Sequence, residues 1–171
     1  MVLGFQKVLC SICNTEHLVE VIQEEKVVEY KKQTISYWDV HLRCLNAKEH
    51  NEFYTDEQKK INQISIIDQY RKNNNLLLSS EIVQIREHYN LTTQELSVLL
   101  GWKQDLIYLY ENTAPQSHYE NDILLKIINN PSFLYHRLKR DPAILINKTK
   151  RAKLELQLLK EISEKQDFFE D

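Results

Sequence analysis

Two glycines and three prolines among 171 residues leave this chain short of the residues that make tight turns. That supply argues against a large β-barrel or sandwich, whose many reversals draw on both. No apolar run approaches the roughly 20 residues of a membrane span. The N-terminus also lacks a basic segment followed by an apolar stretch and a cleavage site, so the expectation is a cytoplasmic protein with no membrane partner. Three cysteines do not make a disulfide framework. Two of them stand as Cys10-x-x-Cys13, which suits a metal site in a reducing compartment. The formal charge of -3 and the pI near 6.1 do not announce a nucleic-acid partner, so any basic face has to be found locally. No nucleophile elbow or phosphate loop is visible, and two glycines leave little room for one, so no enzyme is expected.

What is present is an apolar share of 42%, enough for a core in one to two compact units. The expected class is α+β, beginning with a small β-rich, zinc-ribbon-like domain over residues 1–54. The Cys10-x-x-Cys13 spacing lets two thiolates from one turn converge on a tetrahedral zinc ion. Two segments rich in β-formers follow, His17 to Gln23 and Lys26 to Val40, and the second leads to Cys44. A second Cys-x-x-Cys would place a thiol at Ala47, where there is none. His50, in the same loop as Cys44, is the best substitute and would complete a Cys10, Cys13, Cys44, His50 set around Zn2+; His41 and His17 are less well placed. Two alternatives stay open: an incomplete or different ligand set, and cysteines that are simply small core residues.

From Thr55 to Arg71 the pattern turns helical, with Ile61, Ile64, Ile67 and Tyr70 on one face, and residues 55–78 read as a linker helix. An all-α domain over 79–140 follows, with helices expected at Glu81 to Tyr89, Thr93 to Leu100, Gln104 to Tyr110, His118 to Ile128 and Ser132 to Lys139. The second and third meet at Gly101, where a residue without Cβ can take positive φ. Thr92 and Glu95 have capping-box spacing, Leu96, Leu99 and Leu100 form an inward stripe, and Leu106, Ile107 and Tyr110 follow at helical spacing. This is a helix-turn-helix pattern, whose second helix would enter a DNA major groove.

With these residues in place the chain resembles the MqsA-type (YgiT-type) antitoxin family, an N-terminal zinc-binding domain joined to a repressor-like helix-turn-helix domain. The resemblance rests on Cys10-x-x-Cys13, on Cys44, on EIVQIREHYNLTTQELSVLLGW, and on Tyr110-Glu111 followed by the helix ending at NNPSFL. It implies a regulator that represses its own operon and neutralises a toxin, often as a homodimer, and this chain resembles a divergent, phage-associated member. Asp105 and Leu109 stand where family members commonly carry an asparagine and an arginine, Thr113 where a glycine is usual, and Ala47 where the family has a cysteine.

The residues placed to touch operator DNA are Gln94, Trp102, Lys103, Gln104, Asp105 and Tyr108. Gln94 suits a phosphate, Gln104 an adenine edge, and Lys103 a phosphate or guanine. Trp102 and Tyr108 read more readily as core or subunit contacts. Residues 141–171 form a basic segment and an amphipathic C-terminal helix. Arg137, Lys139, Arg140, Lys148, Lys150, Arg151 and Lys153 face the single acid Asp141, a concentration that suits phosphate attraction or merely a solvated face. Leu154, Leu158, Leu159 and Ile162 need a partner, which is the chain's own bundle, a second subunit or a toxin groove. Two functions follow: a dimeric DNA-binding autorepressor of the antitoxin type, or an interaction module that neutralises a toxin or inhibits another partner without base readout.

Overall fold

A computed structural model describes residues 1–140 and 147–167; residues 141–146 of the basic segment and 168–171 of the acidic end lie outside it. The chain is α+β and divides into two compact units, Met1–Asn74 and Asn75–Asp171.

The first unit is a four-stranded antiparallel meander, β1 (Val2–Leu9), β2 (Glu16–Tyr30), β3 (Gln33–Arg43) and β4 (Glu52–Phe53), with one helix, α1 (Asp56–Asn73). The expected break between Gln23 and Lys26 does not occur. β2 runs on through Glu24 and Glu25, whose carboxylates both find partners: Ser36 of β3 donates to Glu25, and Glu24 lies 2.9 Å from Lys26, which also reaches Asp39 of β3 at 3.1 Å. The reversal falls instead at Lys31 and Lys32, with φ of 47° and 63°, inside what the sequence suggested was a strand. Two successive positive φ values make the tight two-residue turn whose twist matches that of the strands.

α1 is a working part of this unit rather than a linker. β4 pairs only Leu42 and Arg43, so the outer edge of Val40 has no strand partner. Asn62 of α1 takes that place, accepting from the Val40 N–H at 2.7 Å and donating to its carbonyl at 2.9 Å. The buried face of α1 is therefore Gln58, Asn62, Ile67 and Arg71, while Ile61, expected inside, is 43% exposed. The sheet surface beneath includes buried Asp39 and His41, and a polar helix face is what such a surface needs.

Among its described residues the second unit holds six helices: α2 (Ser79–His88), α3 (Thr93–Leu99), α4 (Leu106–Asn112), α5 (His118–Asn129), α6 (Pro131–Arg140) and α7 (Lys148–Asp167). Leu96, Leu99, Ile107, Tyr110, Leu124, Ile127, Leu134 and Leu138 form its core. Asn90, at φ 50°, ends α2. The Thr92–Glu95 capping box opens α3, and Gly101, at φ 75°, turns the chain toward α4. Ser97 ties the two short helices together: its hydroxyl donates to the Thr93 carbonyl and accepts the Ile107 N–H at 3.1 Å. Arg86 of α2 holds α4 from behind through Glu111, at 2.6 and 3.3 Å, and donates to the Leu91 carbonyl. α4 begins two residues later than its sequence suggests, which leaves Gln104 in the turn. The leucine stripe of α7 is filled from within its own unit, since Leu154 and Leu158 are buried in this core, whereas Leu159 stays exposed.

Lys31 and Lys32 occupy a conformation that side chains with a Cβ take at a cost of about 1–2 kcal/mol. Replacing the pair by Asn-Gly gives up only the contact of Lys31 with the Tyr70 ring. A net gain of about 1 kcal/mol is expected in urea unfolding.

Candidate metal centre and nucleic-acid interface

Cys10 and Cys13 bound the reversal between β1 and β2. The Asn14 N–H donates to the Cys10 carbonyl and the Cys10 N–H to the Thr15 carbonyl, with Asn14 at φ 54°, and this curls the loop so that both sulfurs point the same way. Cys44 follows the last residue of β3. Buried Val19, Leu42 and Phe53 pack beside Cys10 and Cys44, so the cysteine side of the sheet is its apolar core.

The fourth member of the group is His17, not His50. Cys10, Cys13, His17 and Cys44 bring their ligand atoms within 4.8 Å of one another. His17 Nε2 lies 3.2 Å from Cys13 Sγ and 3.6 Å from Cys44 Sγ, and the two sulfurs are 3.9 Å apart. His17 Nδ1 is 2.7 Å from the Leu18 carbonyl. A carbonyl only accepts, so Nδ1 carries the hydrogen and Nε2 offers its lone pair to the sulfurs' common centre. His50 is occupied otherwise: at φ 47° it is an exposed turn residue in a loop closed by the Cys44 N–H to Asn51 carbonyl bond. The sequence signal for His17 was its place four residues after Cys13, at the foot of β2 opposite Val8. His41 points to the other side of the sheet.

The electrostatics favour thiolates at the mouth of the site. The Thr15 hydroxyl, 3.0 Å from Cys13 Sγ, holds that thiol down at about 6. Burial opposes the ionisation of Cys10, but the backbone N–H groups of Cys13 and Ile12 outweigh it and its thiol lies below the ordinary value. Contact with Cys10 raises His17, and burial pushes Cys44 up. Such a donor set could hold a metal ion, with soft sulfur ligands and all four corners filled from the chain.

On the second unit, five of the six residues placed to meet DNA stand on the surface: Gln94, Lys103, Gln104, Asp105 and Tyr108, the last 51% exposed. Gln94 Nε2 donates to Gln104 Oε1 at 2.8 Å. Trp102 packs inward, edge-on to Tyr110 with ring centroids 6.2 Å apart, and Leu109 is half-buried. Arg137 of α6 lies beside the Gly101 turn and stacks on Phe133. Much of the basic segment is engaged within the unit: Lys139 with Glu155 at 3.1 Å, Lys150 with Glu95, and Arg151 with Glu155 at 3.5 Å. No helix among the described residues is long and apolar enough to cross a membrane.

Compared with models of known protein families the chain matches none, and no curated protein matches it in sequence.

His17→Ala is expected to lower the metal content of the purified protein by the equivalent held at the cysteine site, while His50→Ala leaves the metal content unchanged. Elemental analysis of the two variants beside the parent protein checks this, and equal retention in both would return the fourth corner to another residue.

Proposed function

We propose that this protein is a DNA-binding transcriptional regulator whose second unit is a helix-turn-helix and whose first unit is held together by a structural zinc ion. One observation carries the DNA reading. α4 is pinned on its inner side by Ile107, Tyr110 and the Glu111–Arg86 pair, while the approach to it, from Gln94 through Lys103, Gln104 and Asp105 to Tyr108, is exposed. A rigid helix with an open leading edge is the geometry that lets side chains reach base edges. The Gln94–Gln104 bond leaves an acceptor on one amide and donors on the other, the pattern an adenine edge requires.

Zinc suits the first unit because ligands at about 2.3 Å for sulfur and 2.0–2.1 Å for nitrogen around a tetrahedral ion stand ~3.8 Å apart for two sulfurs and ~3.5 Å for sulfur and nitrogen. The separations of 3.9 and 3.6 Å are close to those values, and the 3.2 Å between His17 Nε2 and Cys13 Sγ is shorter by about 0.3 Å. Three thiolates and one imidazole fill the shell, so the ion would cross-link the β1–β2 turn to the end of β3 and leave no position for catalysis. The open edge of β1 carries exposed Leu3, Phe5 and Leu9, which suits association as a homodimer on a two-fold operator. These features fit an antitoxin-type autorepressor acting in the cytoplasm.

Asp105 favours a second reading, because a carboxylate at the leading edge of α4 repels phosphate. In that reading the fold neutralises a toxin or another protein partner and no longer reads bases.

Gel shifts on DNA from upstream of its own gene separate the two. Gln104→Ala is expected to weaken specific binding by ~1–3 kcal/mol. Lys103→Ala should weaken binding to all sequences and reduce the salt slope by about 1. Absence of any shift at low salt, with a folded and metal-loaded protein, would leave only the partner-binding function.

A further inference from the structure

The side of the sheet away from the cysteines carries a second cluster of charged groups. Asp39 and His41 are alternate residues of β3 and share one face. Glu24 and Ile22 of β2 are their cross-strand partners, and Glu52 enters from β4. Asp39 is the hub. It accepts from His41 Nδ1 at 3.0 Å, Tyr54 at 3.0 Å, Asn62 at 2.9 Å and Tyr37 at 3.2 Å, and Lys26 lies at 3.1 Å. Burial opposes its charge, but these donors outweigh burial and hold the carboxyl below the usual carboxylate range.

His41 is bonded to Asp39 through Nδ1, which leaves Nε2 as the ring nitrogen open to another partner. That atom is the anomaly. His41 is fully buried, and its Nε2 has no hydrogen-bond partner. It faces Glu52 Oε1 at 3.5 Å, with Glu24 Oε1 3.9 Å from Nδ1 of the same ring. A buried ring nitrogen without a hydrogen-bond partner is destabilising. The 3.5 Å separation is too long for a good N–H···O bond. It is close to the ~3.3 Å between two ligand atoms that share a tetrahedral zinc ion at about 2.0 Å.

Glu24, His41 and Glu52 offer one ligand atom each, all within 4.8 Å of one another. The local charge is also short of a cation. Glu24, Asp39 and Glu52 are opposed by Lys26, which lies 2.9 Å from Glu24, whereas Arg43 is already paired with Glu20. We propose that His41 Nε2, Glu52 and Glu24 form a second divalent-cation site of the zinc class, with Asp39 orienting the imidazole from behind. A carboxylate on the far nitrogen of a ligating histidine is the usual outer-shell arrangement for such an ion. Three protein ligands leave one position for water or an exchangeable ligand, unlike the closed cysteine site.

Cobalt distinguishes the two sites, since only the cysteine site gives an intense thiolate-to-metal absorption. Full-length protein is loaded with cobalt, freed of excess and analysed for metal and absorbance. The wild type is expected to hold a second equivalent that adds no thiolate absorption. Glu52→Gln should weaken that equivalent by more than about tenfold, since losing a ligand costs more than losing an outer-shell partner. His41→Gln should do the same, with the thiolate band intact in both. Should His41→Gln fail to fold, Glu52→Gln carries the test, because Glu52 is half-exposed. A single equivalent in the wild type, fully accounted for by the thiolate band, overturns the proposal. So does a second equivalent that Glu52→Gln leaves undiminished.

Discussion

A chain this short of glycine turns on other residues: of the seven described residues at positive φ, glycine supplies one, Gly101. The others fall on Asn14, Lys31, Lys32, His50, Asn75 and Asn90. Asparagine tolerates the left-handed region through local hydrogen bonding, and lysine does so with some strain. This constraint decides where the functional groups stand. Asn14 curls the loop that gathers Cys10 and Cys13, Lys31–Lys32 fixes the register that sets Glu24 beside Asp39, and Asn90 stops α2 just ahead of the α3–α4 pair. His50 is claimed by a turn, which is why it is absent from the cysteine cluster that its position in the sequence suggests it should join.

The pleat of the sheet is the second determinant. Leu42 and Cys44 face the apolar side with the cysteine group, while Asp39 and His41 face α1. One strand thereby serves two chemically distinct surfaces, one organised by sulfur and hydrocarbon, the other by carboxylates and amides. Had α1 been the amphipathic linker its isoleucines suggest, the polar surface would have been left unsatisfied. Its buried Gln58 and Asn62 are the counterpart of that surface, and a helix chosen by its apolar periodicity alone gets the wrong face.

The helical unit was the more legible half of the sequence. Its capping boxes, its single glycine and its leucine spacing are local signals, and helices depend mainly on local signals. Each expected helix is present, with ends displaced by a residue or two. The sheet was less legible because the decisive partners are remote. The cross-strand hydrogen bond donated by Ser36 to Glu25, the capture of Val40 by Asn62 and the approach of His17 to Cys44 all join residues far apart in sequence. β1 left no mark strong enough to be read, since its alternation is broken by Gly4 and its Leu3, Phe5 and Leu9 face outward. Two of the three cysteine-site sulfurs were obvious as a pair; the imidazole was not, because a histidine's role depends on which side of a strand it occupies.

Electrostatics bear on the proposed DNA contact in a way the count of basic residues conceals. Lys139, Lys150 and Arg151 spend their charge on Glu155 and Glu95, so they brace α6, α7 and α3 against one another before they meet any phosphate. Arg137 beside the Gly101 turn and Lys103 ahead of α4 are cations near the leading edge, and Asp105 offsets one of them. Each cation held internally reduces the counterion-release term, because that term scales with the phosphates neutralised. On the DNA reading, affinity would draw also on what scales otherwise, namely base contacts by the Gln94–Gln104 pair and the doubling of contacts in a dimer. Dimerisation would thus strengthen the DNA reading, whereas the partner-binding reading is independent of it.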